Sequence, residues 1–227
     1  MLLQTETAAL AEPVAQDAAK ELSLIDMCIS GGPIMIVLGA LLVLAIYIFV
    51  ERLIVFNKAS HEDSNFMNRI KDYMHEGKID AAVALCRNTD SPSSRMIEKG
   101  LSRLGRPMSD VLVAIENVGN IEIAKLEKGL SFMATIAGGG PMIGFLGTVI
   151  GMVQAFFNME QAGGNTINLS MLSGGIYTAM VTTVAGLIVG VIAFFAYNYL
   201  VTRLDSVMRR LEMRSMDFLD VLNEPAN

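Results

Sequence analysis

Long apolar runs alternate with polar segments along this chain. Residues 27–50 contain no charged side chain, and neither do residues 129–159 or 161–202, which Glu160 separates. As helices rising about 1.5 Å per residue, all three runs can cross the roughly 30 Å hydrocarbon core of a bilayer. The pattern therefore predicts three membrane-spanning helices.

The polar residues after the first run repeat apolar positions at intervals of three and four, which predicts helices rather than strands. Ser91 or Ser93 would cap a helix over residues 94–104. Ser109 would cap a longer amphipathic helix, which we expect to continue into the second span without a break. The residues after Thr202 predict a further amphipathic helix, which would pack on the long loop helix or form a coiled seam with another subunit.

The distribution of basic residues predicts the orientation of the spans. Residues 51–128 hold twelve of the seventeen Lys and Arg, and residues 203–227 hold four. Positively charged segments stay in the cytoplasm, so both of these regions are expected there. The predicted segments are an outer N-terminal segment 1–22, a first span 23–56, a cytoplasmic helical loop 57–128, a second span 129–159, an outer turn 160–171, a third span 172–202 and a cytoplasmic C-terminal helix 203–227.

Composition excludes several classes of function. Only 18% of residues are charged and the net charge is −6, which argues against binding of nucleic acid. No spacing of Cys and His suggests a metal site, and no cofactor is expected. Cys28 and Cys86 fall on opposite sides of the predicted membrane, so a disulfide between them is not expected. No nucleophile–base pair, paired carboxylates or phosphate loop indicates an enzyme.

Small residues form a stripe along each of the last two spans. At about 100° per residue, each set falls on one narrow face. The first stripe consists of Gly140, Gly144, Gly147, Gly151 and Asn158, and the second of Gly175, Ala179, Thr182, Gly186, Gly190 and Ala193. Such stripes let membrane helices approach closely, so the two helices would pack on each other or on a neighbouring copy.

Polar groups lie along the same two spans. Thr148 and Thr183 occupy matching edges of the two stripes, and further hydroxyl and amide groups come from Thr135, Thr178, Thr182 and Gln154. A membrane threonine commonly bonds back to its own helix, but the whole set favours a polar interior surface. Pro141 removes a backbone donor and should kink or loosen the second span.

Neither of these two spans contains Asp, Glu, Lys, Arg or His. A proton pathway through a membrane normally needs a titratable group. The chain is therefore either a non-transporting scaffold, or the proton carrier belongs to another chain.

Three motifs resemble the MotA/TolQ/ExbB proton channel family, and its ExbB members most closely. The motifs are Gly-Pro-Met-Ile-Gly-Phe-Leu-Gly-Thr-Val-Ile-Gly-Met at 140–152, Gly-Ile-Tyr-Thr-Ala-Met-Val-Thr-Thr-Val-Ala-Gly-Leu at 175–187, and Phe-Val-Glu-Arg-Leu at 49–53. The layout of three spans with a long loop after the first is similar too.

The resemblance implies an all-α integral membrane protein whose long helices extend into the cytoplasm. It also implies a homo-oligomeric ring, typically a pentamer, in the inner membrane of Gram-negative bacteria, with the N-terminus in the periplasm. The ring would hold the transmembrane helices of an ExbD-like single-span partner, whose membrane aspartate carries protons. A TonB-like protein would deliver the work to outer-membrane transporters. Thr148 and Thr183 align with the family's pore-lining threonines.

One position departs from the family pattern. ExbB and TolQ proteins often place a glutamate at the position that aligns with Thr178. The departure puts in doubt any mechanism that needs a ring of glutamates in the pore. A TolQ-like subunit and a passive membrane scaffold or sensor remain the alternatives, whereas a MotA-like subunit would need four spans.

Overall fold

The computed structural model describes residues 31–60, 65–161 and 169–223. Within these residues the chain is entirely helical. The helices are α1 (Pro33–Ser60), α2 (Phe66–His75), α3 (Ile79–Asn88), α4 (Pro92–Leu101), α5 (Met108–Glu127), α6 (Leu130–Gln161) and α7 (Leu169–Asn223). The expected segment 1–22 and most of the expected outer turn lie outside the described residues, as does Cys28.

Three helical stretches are long and apolar enough to cross a membrane: α1, the α5–α6 region and α7. Their large apolar side chains are widely exposed, as at Ile36 (76%), Met142 (72%) and Phe195 (69%). In a water-soluble protein such exposure would be costly, whereas in a bilayer these side chains face hydrocarbon. Within the described residues this confirms the expectation of an all-helical protein with three helices long and apolar enough to cross a membrane.

The start of α1 follows from its sequence. Gly32 takes a left-handed conformation with φ 64°, and Pro33 then occupies the first position of the helix. Proline is favoured there because the first backbone N–H groups of a helix have no partner within the helix. From this start α1 packs against both α6 and α7.

A second helical layer lies beyond the spans, where α2 to α5 pack with the C-terminal part of α7. Its core is formed by fully buried side chains, among them Phe66, Ile70, Ile115 and Phe218. Gly100 makes room for Phe218, because a Cβ at position 100 would lie 2.6 Å from the phenyl ring. The C-terminal helix therefore packs on the loop helices as expected.

The caps of α4 and α5 refine the sequence predictions. Ser91 caps α4 and forms a reciprocal capping box with Ser94, so the helix begins at Pro92 and ends at Leu101. The expectation for Ser109 is wrong, because α5 begins one residue earlier at Met108 and follows Pro107, which makes no side-chain cap. Proline preorganises the entry to the helix here, and Ser109 lies inside the first turn.

The expected continuity between the loop helix and the second span is also wrong. The helix α5 ends at Glu127, Lys128 adopts an extended ψ of 128°, and Gly129 takes φ 91° before α6 begins at Leu130. Such a left-handed glycine is the usual way for a helix to end. The break separates the helix that belongs to the polar layer from the helix that belongs to the membrane.

Candidate functional site

The two small-residue stripes face each other within a single chain. Along α6 and α7 the contacts run in antiparallel register, with Gly140 against Gly190, Gly144 against Gly186 and Gly151 against Ala179. Four glycines of α6, at 140, 144, 147 and 151, are buried by this contact. Of the two packing partners left open by the sequence, α7 of the same chain is therefore the one observed.

The helices approach so closely that side chains are excluded at several positions. A Cβ at Gly144 would lie 2.8 Å from the carbonyl oxygen of Thr182, and one at Gly186 would lie 2.7 Å from the carbonyl oxygen of Gly140. Real Cβ atoms do not approach backbone atoms this closely, so a larger residue would force the helices apart. Gly147 and Gly175 face Thr182 and Ala155 in the same way.

Thr148 and Thr183 meet across this interface. The Thr148 hydroxyl hydrogen-bonds the Thr183 hydroxyl and can also donate to the carbonyl oxygens of Ala179 (3.2 Å) and Gly144 (3.4 Å). Thr183 likewise reaches the carbonyl of Gly144 at 3.4 Å. The contacts join both helices, so neither threonine bonds to its own helix alone.

The threonine pair is half-buried at the edge of the helix interface. A hydroxyl is both a donor and an acceptor of hydrogen bonds. The pair can therefore bind water or either protonation state of a carboxyl group, although it cannot itself carry a proton at physiological pH. No acidic or basic residue lies in residues 130–159 of α6 or residues 172–202 of α7.

The other predicted polar residues lie in different environments. Thr182 is buried and donates to the carbonyl of Ala179 at 2.8 Å. Thr178 is half-buried one turn before Thr182, and Gln154 is exposed on α6. Asn158, which the helical projection assigned to the first stripe, is exposed beyond the last glycine contact. The structure thus brings Thr148, Thr182 and Thr183 together, whereas Gln154 lies outside this group.

Pro141 also belongs to the interface. The helix α6 continues through it, and its ring occupies the space that a Cβ at Gly190 would need, 2.5 Å from two ring carbons. The missing side chain at Gly190 therefore accommodates the proline. Kinking or loosening of α6 at Pro141 stays a prediction.

Comparison with known proteins places this helix pair in a family. Residues 88–213, more than half of the chain, match the MotA/TolQ/ExbB proton channel family. The chain belongs to this family. The resemblance seen in the sequence motifs is confirmed, and the protein is a multi-pass membrane protein of a proton-channel family rather than of an enzyme family.

Relatives within the MotA/TolQ/ExbB family carry the names ExbB and TolQ. The biopolymer transport protein ExbB of Neisseria meningitidis is 28% identical over 189 residues, covering 75% of this chain and 84% of the relative. A protein of Methanothermobacter thermautotrophicus named as an ExbB homolog is 28% identical over 192 residues, covering 84% of this chain and 67% of the relative. The Tol-Pal system protein TolQ of Haemophilus influenzae is 35% identical over 107 residues, covering 47% of this chain and 46% of the relative.

The structure of this MotA/TolQ/ExbB family member also shows a buried arginine that the sequence did not single out. Arg52 is 7% exposed at the end of the apolar part of α1. Its guanidinium pairs with Glu51 and donates to the carbonyl oxygen of Lys125 at 3.4 Å. Arg52 therefore joins the exit of the first span to the last turn of α5, next to the break at Gly129. The motif Phe-Val-Glu-Arg-Leu at 49–53 was the sequence feature that could have drawn attention to Arg52.

A chain of ion pairs continues from this junction into the polar layer. Lys58 pairs with Asp90, Asp90 with Arg95, Arg95 with Glu122, and Glu122 with Lys125, at N–O distances of 2.7 or 2.8 Å. The Glu122 side chain is only 5% exposed. The network connects α1, the turn before α4, α4 and α5.

The two carboxylates of the network are stabilised as anions. Burial works to raise the pKa of Glu122, but the hydrogen bonds and charges of Arg95 and Lys125 outweigh it and hold this pKa below 4.5. Hydrogen bonds from Lys58 and Arg95 lower the pKa of Asp90. Both groups are therefore charged at neutral pH, and the buried Glu122 contributes more to the packing of the polar layer than the exposed Asp90 does. Burial raises the pKa of the Cys86 thiol to about 12, so this free cysteine is unreactive.

Proposed function

We propose that this chain is the ring subunit of an ExbB-like motor driven by the proton-motive force in the bacterial inner membrane. Several copies, typically five, surround the transmembrane helices of an ExbD-like single-span partner. Proton transfer on a membrane aspartate of that partner drives movement between partner and ring. A TonB-like protein carries this work to transporters in the outer membrane.

The observation that carries the proposal is a polar but uncharged contact between α6 and α7. The hydroxyls of Thr148 and Thr183 meet at the edge of this contact and can bind a carboxyl group or water. Neither helix supplies an acid within its apolar run. In this proposal the ring lowers the cost of placing the partner's aspartate in the membrane, and the aspartate exchanges the proton.

The role of Thr178 follows from the same reasoning. A glutamate at this position in a ring of copies would repel a partner aspartate, whereas a threonine leaves the interior neutral. We assign Thr178, Thr182 and Gln154 to the proton pathway beside the threonine pair. The pathway then depends on hydroxyl groups, an amide group and water.

We place the polar layer of the chain in the cytoplasm. Basic residues concentrate in residues 51–128 and 203–227, so α2 to α5 and the end of α7 would lie inside, with the N-terminus in the periplasm. One proton that moves through 100 mV releases about 2.3 kcal/mol, so several protons would be needed for each working event.

A TolQ-like role in envelope integrity is the second candidate. The observation in its favour is the 35% identity to a TolQ protein over 107 residues. This match covers less than half of either chain, whereas the match to the Neisseria ExbB covers three-quarters or more of both. The third alternative, a passive membrane scaffold, would not require a pair of hydroxyl groups between its helices.

The substitution Thr183→Val tests the proposal in a strain that lacks the chromosomal gene. Valine keeps the shape of threonine and removes the hydroxyl that meets Thr148. We expect the ring to assemble at the normal level and energy-dependent uptake across the outer membrane to fall by about tenfold, equivalent to a loss of about 1.4 kcal/mol.

Thr135→Val is the matched control, because the Thr135 hydroxyl is exposed and bonds only to Ser131 of its own helix among the described contacts. This variant should keep full uptake. Normal uptake by Thr183→Val would contradict the role of the threonine pair. Normal uptake by the deletion strain would contradict the motor function itself.

A further inference from the structure

A long groove runs along the polar layer, beside most of α5 and the part of α7 that follows the third span. It lies between one face of α5 and the C-terminal part of α7, with α4 beneath, and encloses about 560 Å³. The ion-pair network and the threonine pair do not contribute to it. The groove is therefore separate from the site described above.

Apolar side chains dominate its walls, and three of them are the flexible side chains of methionine. Six of these apolar residues are Met96, Leu112, Ile123, Met208, Met216 and Leu219. Met216 is 64% exposed, although it lies beside a largely apolar surface. Methionine side chains adapt to different shapes, and grooves rich in methionine bind amphipathic helices in other proteins.

The charged groups that line the groove are both acidic. Glu116 stands on α5 and Glu212 on α7, and both are exposed. No Lys or Arg is among the described residues that line the groove. An occupant with a basic edge would therefore be attracted, and an acidic one repelled.

Gly119 shapes the groove from within α5. A Cβ at this position would lie 3.0 Å from the methyl carbon of Met96. Glycine in the middle of a helix costs about 0.5–1 kcal/mol relative to alanine, so its place here is set by space rather than by helix propensity. From Leu112 to Ile123 the open face extends over about three helical turns.

We propose that this groove binds a basic amphipathic helix of about three turns from another protein chain. The apolar face of that helix would lie on the methionines and leucines, and its Lys or Arg side chains would reach Glu116 and Glu212. In the proposed topology the groove faces the cytoplasm, so the occupant is a cytoplasmic segment of a partner.

The chain's own basic residues fit the groove less well. Arg210 and Arg214 stand on the opposite side of α7, but Arg210 donates to the carbonyl of Ser60 and Arg214 pairs with Asp217. Both arginines are thus already engaged within their own chain. A second copy that presented these two arginines would have to give up these contacts in order to enter the groove.

A binding experiment tests the proposal with the full chain in nanodiscs of phosphatidylcholine. The probe is a fluorescent 14-residue peptide of leucine and lysine at amphipathic helical spacing, with empty nanodiscs as the baseline. We expect saturable binding above this baseline that weakens as salt is added, because surface charges are screened. A scrambled peptide of the same composition should bind at least about tenfold more weakly, because its leucines no longer share one face.

Charge reversal locates the binding. The variant Glu116→Lys/Glu212→Lys should bind the peptide at least about tenfold more weakly, because both attractive charges become repulsive. The variant Asp72→Lys/Asp220→Lys changes the net charge equally at exposed positions that do not line the groove, and should bind as the parent does. Equal binding by the parent and the groove variant would overturn the proposal.

A photo-crosslinking residue in place of Met216 distinguishes the possible occupants. Crosslinking to the added peptide would support the proposal. Crosslinking to a second copy of this chain, or to lipid only, would overturn it. The result does not depend on a proton gradient, so it is independent of whether the motor function is correct.

Discussion

At the scale of single residues, Glu122 is expected to make the stability of the protein depend on pH. Its side chain is buried, yet it is charged, because Arg95 and Lys125 each bond one of its oxygens at 2.7 Å. A carboxylate whose pKa is lower in the folded state adds stability above its unfolded pKa and loses it as the pH falls through the folded value. For Glu122 that loss begins below about pH 4.5.

The substitution Glu122→Gln should therefore lower the free energy of unfolding at neutral pH. It should also make that free energy fall less steeply as the pH is lowered. At pH 7 we expect a loss of about 2 kcal/mol, because the amide has one oxygen where the carboxylate has two, so one hydrogen bond is lost and the other loses its anionic acceptor. Between pH 7 and about 3.5 the parent should lose more stability than the variant. Thermal unfolding of the purified protein in detergent, followed by circular dichroism, measures both effects.

Glu127→Gln is the control for this measurement, because Glu127 is exposed at the end of the same helix. Its unfolding temperature at pH 7 should match that of the parent. An acid dependence in Glu122→Gln as steep as in the parent would contradict the assigned role of Glu122.

Single residues also show what the sequence could not predict. Thr148 and Thr183 could be named in advance because they stand out in apolar runs. The burial of Arg52 and Glu122 could not, because a charged residue is buried only when its partners arrive from distant segments. Those partners are brought together by the packing of α1, α4 and α5, which no local pattern specifies.

At the scale of the helices, the glycine stripes determine how α6 and α7 pack. Their antiparallel register follows from contacts at Gly140, Gly144 and Gly151, and the short distance between the helices follows from the missing side chains. Helical periodicity was sufficient to predict the glycines of each stripe, but it also included Asn158, which is exposed beyond the contact. It could not decide whether the stripes meet within one chain, because the same faces could pack on a neighbour.

The substitution Gly186→Ala should separate these two helices. The added methyl group would lie 2.7 Å from both the carbonyl oxygen of Gly140 and the Cα of Gly144. We expect a loss of about 1–3 kcal/mol, as is typical of overpacked sites. The fraction of protein that remains monodisperse in detergent after heating provides the measurement.

Gly138→Ala is the matched control on α6, because no atom lies within 4 Å of the Cβ that it would add. This substitution should leave stability unchanged or raise it slightly, since alanine favours the helix. If both variants were equally stable, the close contact between the stripes would not be what holds α6 to α7.

The break between α5 and α6 was not predicted from the hydrophobic pattern, which indicated one continuous helix. The apolar face of α5 leads into the uncharged apolar run of α6, so the hydrophobic pattern continues across the junction. The local signal was Gly129 after Glu127 and Lys128, since a glycine after a charged last turn commonly ends a helix. The position of Ser109 misled in a similar way, because a serine close to a helix start is not always its cap.

For the whole molecule, the sequence predicted three membrane-crossing helices and the polar layer because each depends on the chain's own hydrophobic pattern. The proton carrier and the ring depend on other chains, so they enter as proposals from the resemblance. What the chain itself contributes is a neutral pair of helices with a hydroxyl contact, together with a first span that Arg52 and the ion-pair network join to the polar layer.

Proton uptake into liposomes tests this account most directly. The vesicles would contain this chain, a copurified single-span protein with a membrane aspartate, or both, under a potential of about 100 mV, and an internal pH-sensitive dye would report uptake. The account predicts uptake only when both chains are present, and none after the partner's aspartate is replaced by asparagine. Uptake by this chain alone, or undiminished uptake after that replacement, would contradict the claim that the partner's aspartate carries the proton and that this chain supplies only uncharged groups around it.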